Sequence, residues 1–301
     1  MSINPTSKIL IAFLIVLTFS CKKYLEEEPS VFASPDQILV DAAGAELYTV
    51  GNYAQIKVLA SDFDGWLLLW GTIGTDEIVI PNWGASIRSI YLHSFTTSNN
   101  LILNVWRNLY RSINRINSGI ERIDAMNSEQ IDEDLKNKYI GEHKFLRAML
   151  YFSLVSTWEN IPLILEESKS EDIGNFEVSQ SSAKEVYNQI IEDLLFAESV
   201  LDEVQGQGRA TKGAAQALLG KVYLQMTGSP LNETDKYGLA ANKLESVINS
   251  GVYDLVSYYP DLFTVDYEQS EEIVFSIGAA GPGLNQGSNL GTLFGPQGQT
   301  I

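Results

Sequence analysis

TKGAAQALLGKVYLQMTGSPLNETDKYGLAANKLESVINS, residues 211–250, decides the fold. Small and apolar side chains recur at spacings of three and four on both sides of a break at Gly228, Ser229 and Pro230. That period predicts two helices, Thr211 to Met226 and Lys236 to Ser250, the second stopped by Gly251. Gly220 stands three residues before Tyr223 on the first helix, and Ala240 is followed by Leu244 and Val247 on the second. This is the tetratricopeptide pattern, in which a small residue on one helix lets its antiparallel neighbour approach closely.

The same spacing recurs upstream, at Ala148 and Tyr151 and then at Ala183, Tyr187 and Ile190. From the tyrosine to the partner alanine a standard repeat counts about nine residues. Here the interval is 32 in the earlier pair and 17 in the later one, so the two turns carry inserts of 23 and 8 residues. The flanking periods agree: Ile140 to Trp158 reads as a helix ended before Pro162, and Ser182 to Leu201 as one opened by a Ser182/Glu185 capping box. Between Leu101 and Ala125, Trp106, Leu109, Tyr110, Ile113, Ile116, Ile120 and Ile123 fall on one helix face. Arg107, Arg111 and Arg115 line the other, either as a solvated or ion-paired face or as a docking stripe for an acidic partner.

A first helix is expected from about Ile38 to Asn52, and residues 60–100 then change character. Gly65, Gly71, Gly74, Gly84 and Pro81 interrupt any long helix there, and Trp66, Trp70, Trp83 and Tyr91 crowd an irregular insertion. Long loops in compact proteins are more often functional than decorative. After Gly251 the helical period ends; residues 272–277 (EIVFSI) form a strand candidate, and 278–301 hold seven glycines. Residues 266–301 are therefore read as the start of a truncated, loop-rich C-terminal part.

At the other end, Lys8 precedes nine unbroken apolar residues, Ile9 to Leu17, and Ser20 leads to Cys21, the chain's single cysteine. The run is too short to cross about 30 Å of hydrocarbon as a helix. Residues 1–20 resemble a bacterial lipoprotein signal peptide, with Cys21 as the acylated new N-terminus; the alternative is plain secretion with a spare thiol. Residues 21–37, acidic and with two prolines, suit a solvated tether to a helical domain over 38–265.

Without residues 1–20 the chain carries 19 basic and 38 acidic side chains, a net charge near −19. Such a surface repels phosphate polymers, so no nucleic-acid partner is expected. With one cysteine no intrachain disulfide forms, and stability must come from packing. Two histidines fifty residues apart, His93 and His143, supply no metal site, and the fragment Asp62-Phe63-Asp64-Gly65 has Ile73 where a calcium loop needs a bidentate Glu. No G-K-S/T phosphate loop, G-x-S-x-G elbow or H-E-x-x-H is present. No cofactor and no catalytic residue are expected.

The run EHKFLRAMLYFSLV (142–155) followed by NIPL (160–163) resembles the E-x-x-F-L-R-A-x-x-Y-F-x-L-V and G-x-P-L block of the SusD/RagB outer-membrane lipoproteins. Trp106, Tyr110, Ile113 and Asn117, then Glu185, Tyr187, Ile190 and Asp193, and the stretch GRATKGAA (208–215) agree with it, as does EEIVF (271–275). Glu159 and Asn160 depart from the family's usual Tyr-Gly. The resemblance implies a mainly α tetratricopeptide-like scaffold with long irregular loops and a small β element near the C-terminus. It also implies a lipid-anchored outer-membrane protein, facing the cell surface, that captures oligosaccharides, or in some members peptides, and delivers them to a SusC-like TonB-dependent transporter.

A glycan site needs flat aromatics against sugar C–H faces and amides or charges for the hydroxyls. In the resembling family an aromatic soon after a Ser/Thr-Asp-Glu segment contributes to it. Here that segment is Thr75-Asp76-Glu77 and the next aromatic is Trp83, so Trp83 is the first candidate, with Asn82 and Arg88 as polar partners and Trp66 and Trp70 behind them. Their competing reading is core packing. Two other functions compete with uptake: a glycosidase using Asp62, Asp64, Asp76 or Glu77, which would release reducing sugar, and a helical-repeat adaptor that binds protein and ignores glycans.

Overall fold

The computed structural model describes residues 34–61, 73–76, 84–169, 178–204, 206 and 208–278. Among these residues eight α-helices follow in order: α1 (Pro35–Ile38), α2 (Ala42–Ser61), α3 (Ala85–Tyr91), α4 (Asn100–Asp124), α5 (Glu133–Trp158), α6 (Ala183–Val200), α7 (Lys212–Met226) and α8 (Tyr237–Ile248). Short 3-10 turns follow at Tyr259–Phe263 and Val265–Tyr267. Consecutive long helices pack as neighbours, α4 on α5, α5 on α6, α6 on α7 and α7 on α8, and α2 lies across α4 and α5. The mainly helical, tetratricopeptide-like reading is correct.

The two expected pairs are α5/α6 and α7/α8. A Cβ on Gly220 would lie 2.6 Å from Leu244 Cγ and 3.4 Å from the Ala240 carbonyl oxygen, so the small residue and both alanine-side positions meet as the pattern requires. Ala148, Tyr151, Ala183, Tyr187 and Ile190 are buried in the same core. The longer insert does not separate α5 from α6, because Ile161 and Ser181 close its base as an antiparallel bridge with N···O distances of 3.2 and 2.9 Å. Glu159 ends α5 at φ 65°, and Asn160 accepts a hydrogen bond from the Ala183 amide at 3.1 Å, which caps α6 from the turn.

Four expectations need correction. Helix α5 starts at Glu133, seven residues before the expected Ile140, because the Asp132 carboxylate caps the amides of Asp134 and Leu135 and two acids occupy the first turn. Helix α2 runs to Ser61 rather than Asn52: Tyr53 and Ile56 are buried in the main core, and tertiary packing carries the helix past Gly51. The insertion at 60–100 is not wholly irregular, since α3 buries Ile87 and Ile90 and is held by Asn99 Nδ2, which donates to the Ser86 carbonyl at 2.9 Å. Residues 272–277 form no strand. Val274, Phe275 and Ile277 pack on the helical core, with the Phe275 ring 5.0 Å from Phe145, and among the described residues the segment has no partner strand to pair with.

The charged residues of EHKFLR are part of this scaffold. Glu142, fully buried, accepts two bonds from Arg209 at 2.6 Å and one from the Tyr53 hydroxyl at 2.7 Å, tying α2, α5 and the approach to α7 together. Arg147 forms a bidentate pair with Asp193 of α6 at 2.7 and 2.8 Å and donates to Asn117 of α4 at 2.9 Å. Asn117 in turn donates to the carbonyls of Ile164 and Glu166 at 3.0 and 3.1 Å, fixing the start of the insert. Buried charges of this kind persist only when every partner is in place.

Candidate functional site

Trp66, Trp70, Asn82 and Trp83 lie outside the described residues, as do Cys21, Asp62, Asp64 and Glu77. The part of the expected site that is described is Arg88, exposed on α3, and the Thr75-Asp76 turn, also exposed. Behind that turn, Gly74 at φ 95° leaves its carbonyl to His93 Nε2 at 3.0 Å, and Ile73 is buried in the main core. This packing anchors the Thr75-Asp76 turn beside the C-terminal end of α3.

The described residues hold a second feature that the sequence reading did not single out. A cleft of about 370 Å³ opens beside α4, lined by Trp106, Arg107, Tyr110, Arg111, Asn114 and Ile164. The Trp106 ring sits 4.9 Å from Tyr110 and 5.1 Å from Trp158, which meets it edge-on. Trp106 and Tyr110 are thus half-buried at the edge of the core, whereas Val105, Leu109, Ile113 and Ile116 form its buried stripe. The Tyr110 hydroxyl donates to the Pro162 carbonyl at 2.8 Å. Burial, together with the nearby Tyr151, pushes its pKa well above the usual phenol range, so it stays a neutral donor. Asn114 exchanges two bonds with the Ser168 backbone, at 3.3 and 2.6 Å, so the cleft wall is fixed from both sides.

The arginine stripe sorts itself in the structure. Arg122 is paired with Asp36 and Glu167, Arg147 with Asp193, and Arg209 with Glu46 and Glu142. Arg107 and Arg111 are exposed and have no carboxylate partner among the described residues; Arg111 reaches only Asn108 at 3.4 Å. Arg115 lies 5.5 Å from the Tyr48 ring centroid. The signal legible in sequence was the parallel register of Trp106/Tyr110 with Arg107/Arg111, each one helical turn apart. What was missed is that the two pairs meet at one opening.

A smaller cavity of about 230 Å³ lies against residues 269–276, but its arginine, Arg209, is already committed to Glu46 and Glu142. A third, of about 380 Å³, is walled by Asp261, Asp266 and Glu271 and carries no cation. Among the described residues no group of three His, Cys, Asp or Glu is placed to hold a metal, and no helix is long and apolar enough to cross a membrane.

Residues 74–224 match the SusD-like family described as starch-binding and associating with the outer membrane. A SusD-like protein of Formosa agariphila is 23% identical over 287 residues, covering 89% of this chain and 51% of its own length. One from Bacteroides ovatus is 30% identical over 175 residues, 57% of this chain and 32% of the relative. Among solved structures, a laminarin-binding SusD-like protein matches with TM-score 0.67 and 26% identity over 77% of this chain and 50% of that one. NanU of B. fragilis matches with TM-score 0.72 and 25% identity over 85% and 51%. The chain spans about half the length of the first of these curated relatives.

Proposed function

From the premise that this chain belongs to the SusD-like family, whose members associate with the outer membrane, we propose that it is a cell-surface lipoprotein that captures oligosaccharides and presents them to a SusC-like TonB-dependent transporter. The observation that carries this reading is the family match over residues 74–224, which takes in the Thr75-Asp76 turn, α3 and the arginine-bearing helix α4. A laminarin-binding relative with the same fold supports a glycan as the ligand class. The role is binding and hand-over without cleavage. Acylation at Cys21 supplies the membrane link, and more than one acyl chain makes such attachment durable.

In this reading Trp83 is the stacking platform, with Asn82 and Arg88 taking hydroxyl or ring-oxygen contacts and Trp66 and Trp70 extending the aromatic surface. Arg88 is exposed and has no ion pair among the described residues, which leaves its guanidinium available. The test is calorimetric titration with laminarin and starch oligosaccharides of the native chain and of Trp83→Ala. Loss of about tenfold or more in affinity with an unchanged circular-dichroism spectrum is the expected result, in line with one lost aromatic platform. Undiminished affinity removes Trp83 from the site, and an absence of binding to any glycan favours the protein-adaptor reading. Co-purification of a large outer-membrane barrel from solubilised membranes tests the transporter partnership.

A further inference from the structure

We infer that the cleft beside α4 binds an acidic sugar residue, Arg107 and Arg111 taking its carboxylate or sulfate while the Trp106 and Tyr110 rings bear on its C–H face. The inference rests on the proposed glycan-binding role and adds the charge class of the ligand and a second contact region. Three observations carry it. First, in a chain of 38 acidic and 20 basic side chains, two exposed arginines one helical turn apart stand without a carboxylate partner among the described residues, although three other arginines are paired. Side chains at this spacing are about 5–6 Å apart at Cβ, close enough for two guanidinium groups to converge on one anion.

Second, the guanidinium groups share an opening with aromatic rings. A cleft of about 370 Å³ has room for one or two sugar units, and it joins the two chemistries that an acidic sugar requires: planar donors in bidentate geometry, and a flat apolar face. Third, the charge of the chain limits the size of the anion. The strong net negative charge repels a long polyanion, so the fit is to a single acidic residue within an oligosaccharide. Of the two further cavities noted among the described residues, one has its arginine neutralised and the other is walled by carboxylates, so neither attracts an anion.

The test is calorimetry of the native chain with a trisaccharide carrying one galacturonic acid, with a monosulfated galactose trisaccharide and with neutral maltotriose, at low and at high salt. The expected result is that at least one acidic trisaccharide binds, that salt weakens it, and that R107A/R111A weakens it about tenfold or more while leaving maltotriose unchanged. Which acidic probe responds tells a uronate from a sulfate ester. The lysine pair R107K/R111K keeps the charge but loses the bidentate fork, so it is expected to recover only part of the affinity. Both positions are exposed and outside the core, so these variants keep the native circular-dichroism spectrum.

Unchanged affinity for the acidic sugars in R107A/R111A overturns the inference. If that binding is instead lost in Trp83→Ala alone, the cleft is excluded while the glycan role stands. If neutral and acidic sugars bind equally and independently of salt, the charge assignment falls and the uptake reading survives. If no sugar of either kind binds, both fall together. Preference for an acidic peptide over every sugar probe likewise overturns the inference, in favour of a protein partner for the arginine stripe.

Discussion

At the residue scale, the block that carries the family resemblance turns out to hold ionisable groups rather than ligand contacts. Glu142 and Arg147 lie one and a half turns apart on α5 and point to different neighbours, Arg209 and Asp193. Between them sits His143, fully buried, whose Nδ1–H donates to the Tyr139 carbonyl at 2.8 Å, leaving a bare Nε2 to accept from Asn52 at 2.9 Å. That pattern accommodates only the neutral imidazole. Burial first, with Arg209, Arg147 and Arg115 adding repulsion and the Tyr139 bond opposing, lowers its pKa to about 4. In the unfolded chain the group titrates near its ordinary value of about 6.5. The unfolded state therefore binds the extra proton between these values, and the stability is complete above about pH 6.5 and lost as pH falls toward 4. Urea unfolding between pH 7 and 5 should lose about 1 kcal/mol or more per pH unit at its steepest. His143→Gln, which keeps a hydrogen-bonding side chain without the titration, should flatten that slope; an identical slope in the variant assigns it to other groups.

At the scale of elements, helix ends follow local chemistry and helix contacts follow small residues. Asn99, Asp132, Ser182 and Thr211 each cap the following helix with a side-chain oxygen, and the Ser182/Glu185 box was readable from spacing alone. The approach of α7 to α8 depends on Gly220, where a side chain would run into Leu244 and the Ala240 carbonyl. Gly220→Val is expected to destabilise the fold by about 1–3 kcal/mol, the usual cost of overpacking, although a β-carbon alone improves helix propensity. Adding Leu244→Ala should return part of that loss, since Leu244 supplies the nearest atoms. Denaturant melts of the single and double variants decide it: a Gly220→Val chain as stable as the native one means that the helices are free to separate at no cost.

For the whole molecule, a net charge of −18 on a chain with no disulfide sets a self-repulsion that packing must overcome. Raising salt from about 0.01 to 0.15 M shortens the screening length from about 30 to 8 Å and should raise the melting temperature at neutral pH. A lower melting temperature with added salt would instead mean that partly exposed ion pairs such as Arg122–Asp36, Lys138–Asp202 and Lys184–Glu233 dominate, because screening weakens their attraction as well as the repulsion. Sequence alone determined the helical class, the two repeat pairs, the family and the scaffold motif, because spacing and caps act over three or four residues. It did not reveal the early start of α5 or the late end of α2, where a cap in a polar stretch and burial of Tyr53 and Ile56 prevail over periodicity. It also promised a strand at 272–277, whereas that segment packs on the core with no strand partner among the described residues. The cleft belongs to tertiary structure: only the return of residues 159–168 along α4, pinned by Tyr110, Asn114 and Asn117, brings aromatic rings to one opening with arginines that have no carboxylate partner among the described residues. Contacts across about fifty residues leave no period to read, since their geometry is set by packing rather than by neighbours in the chain.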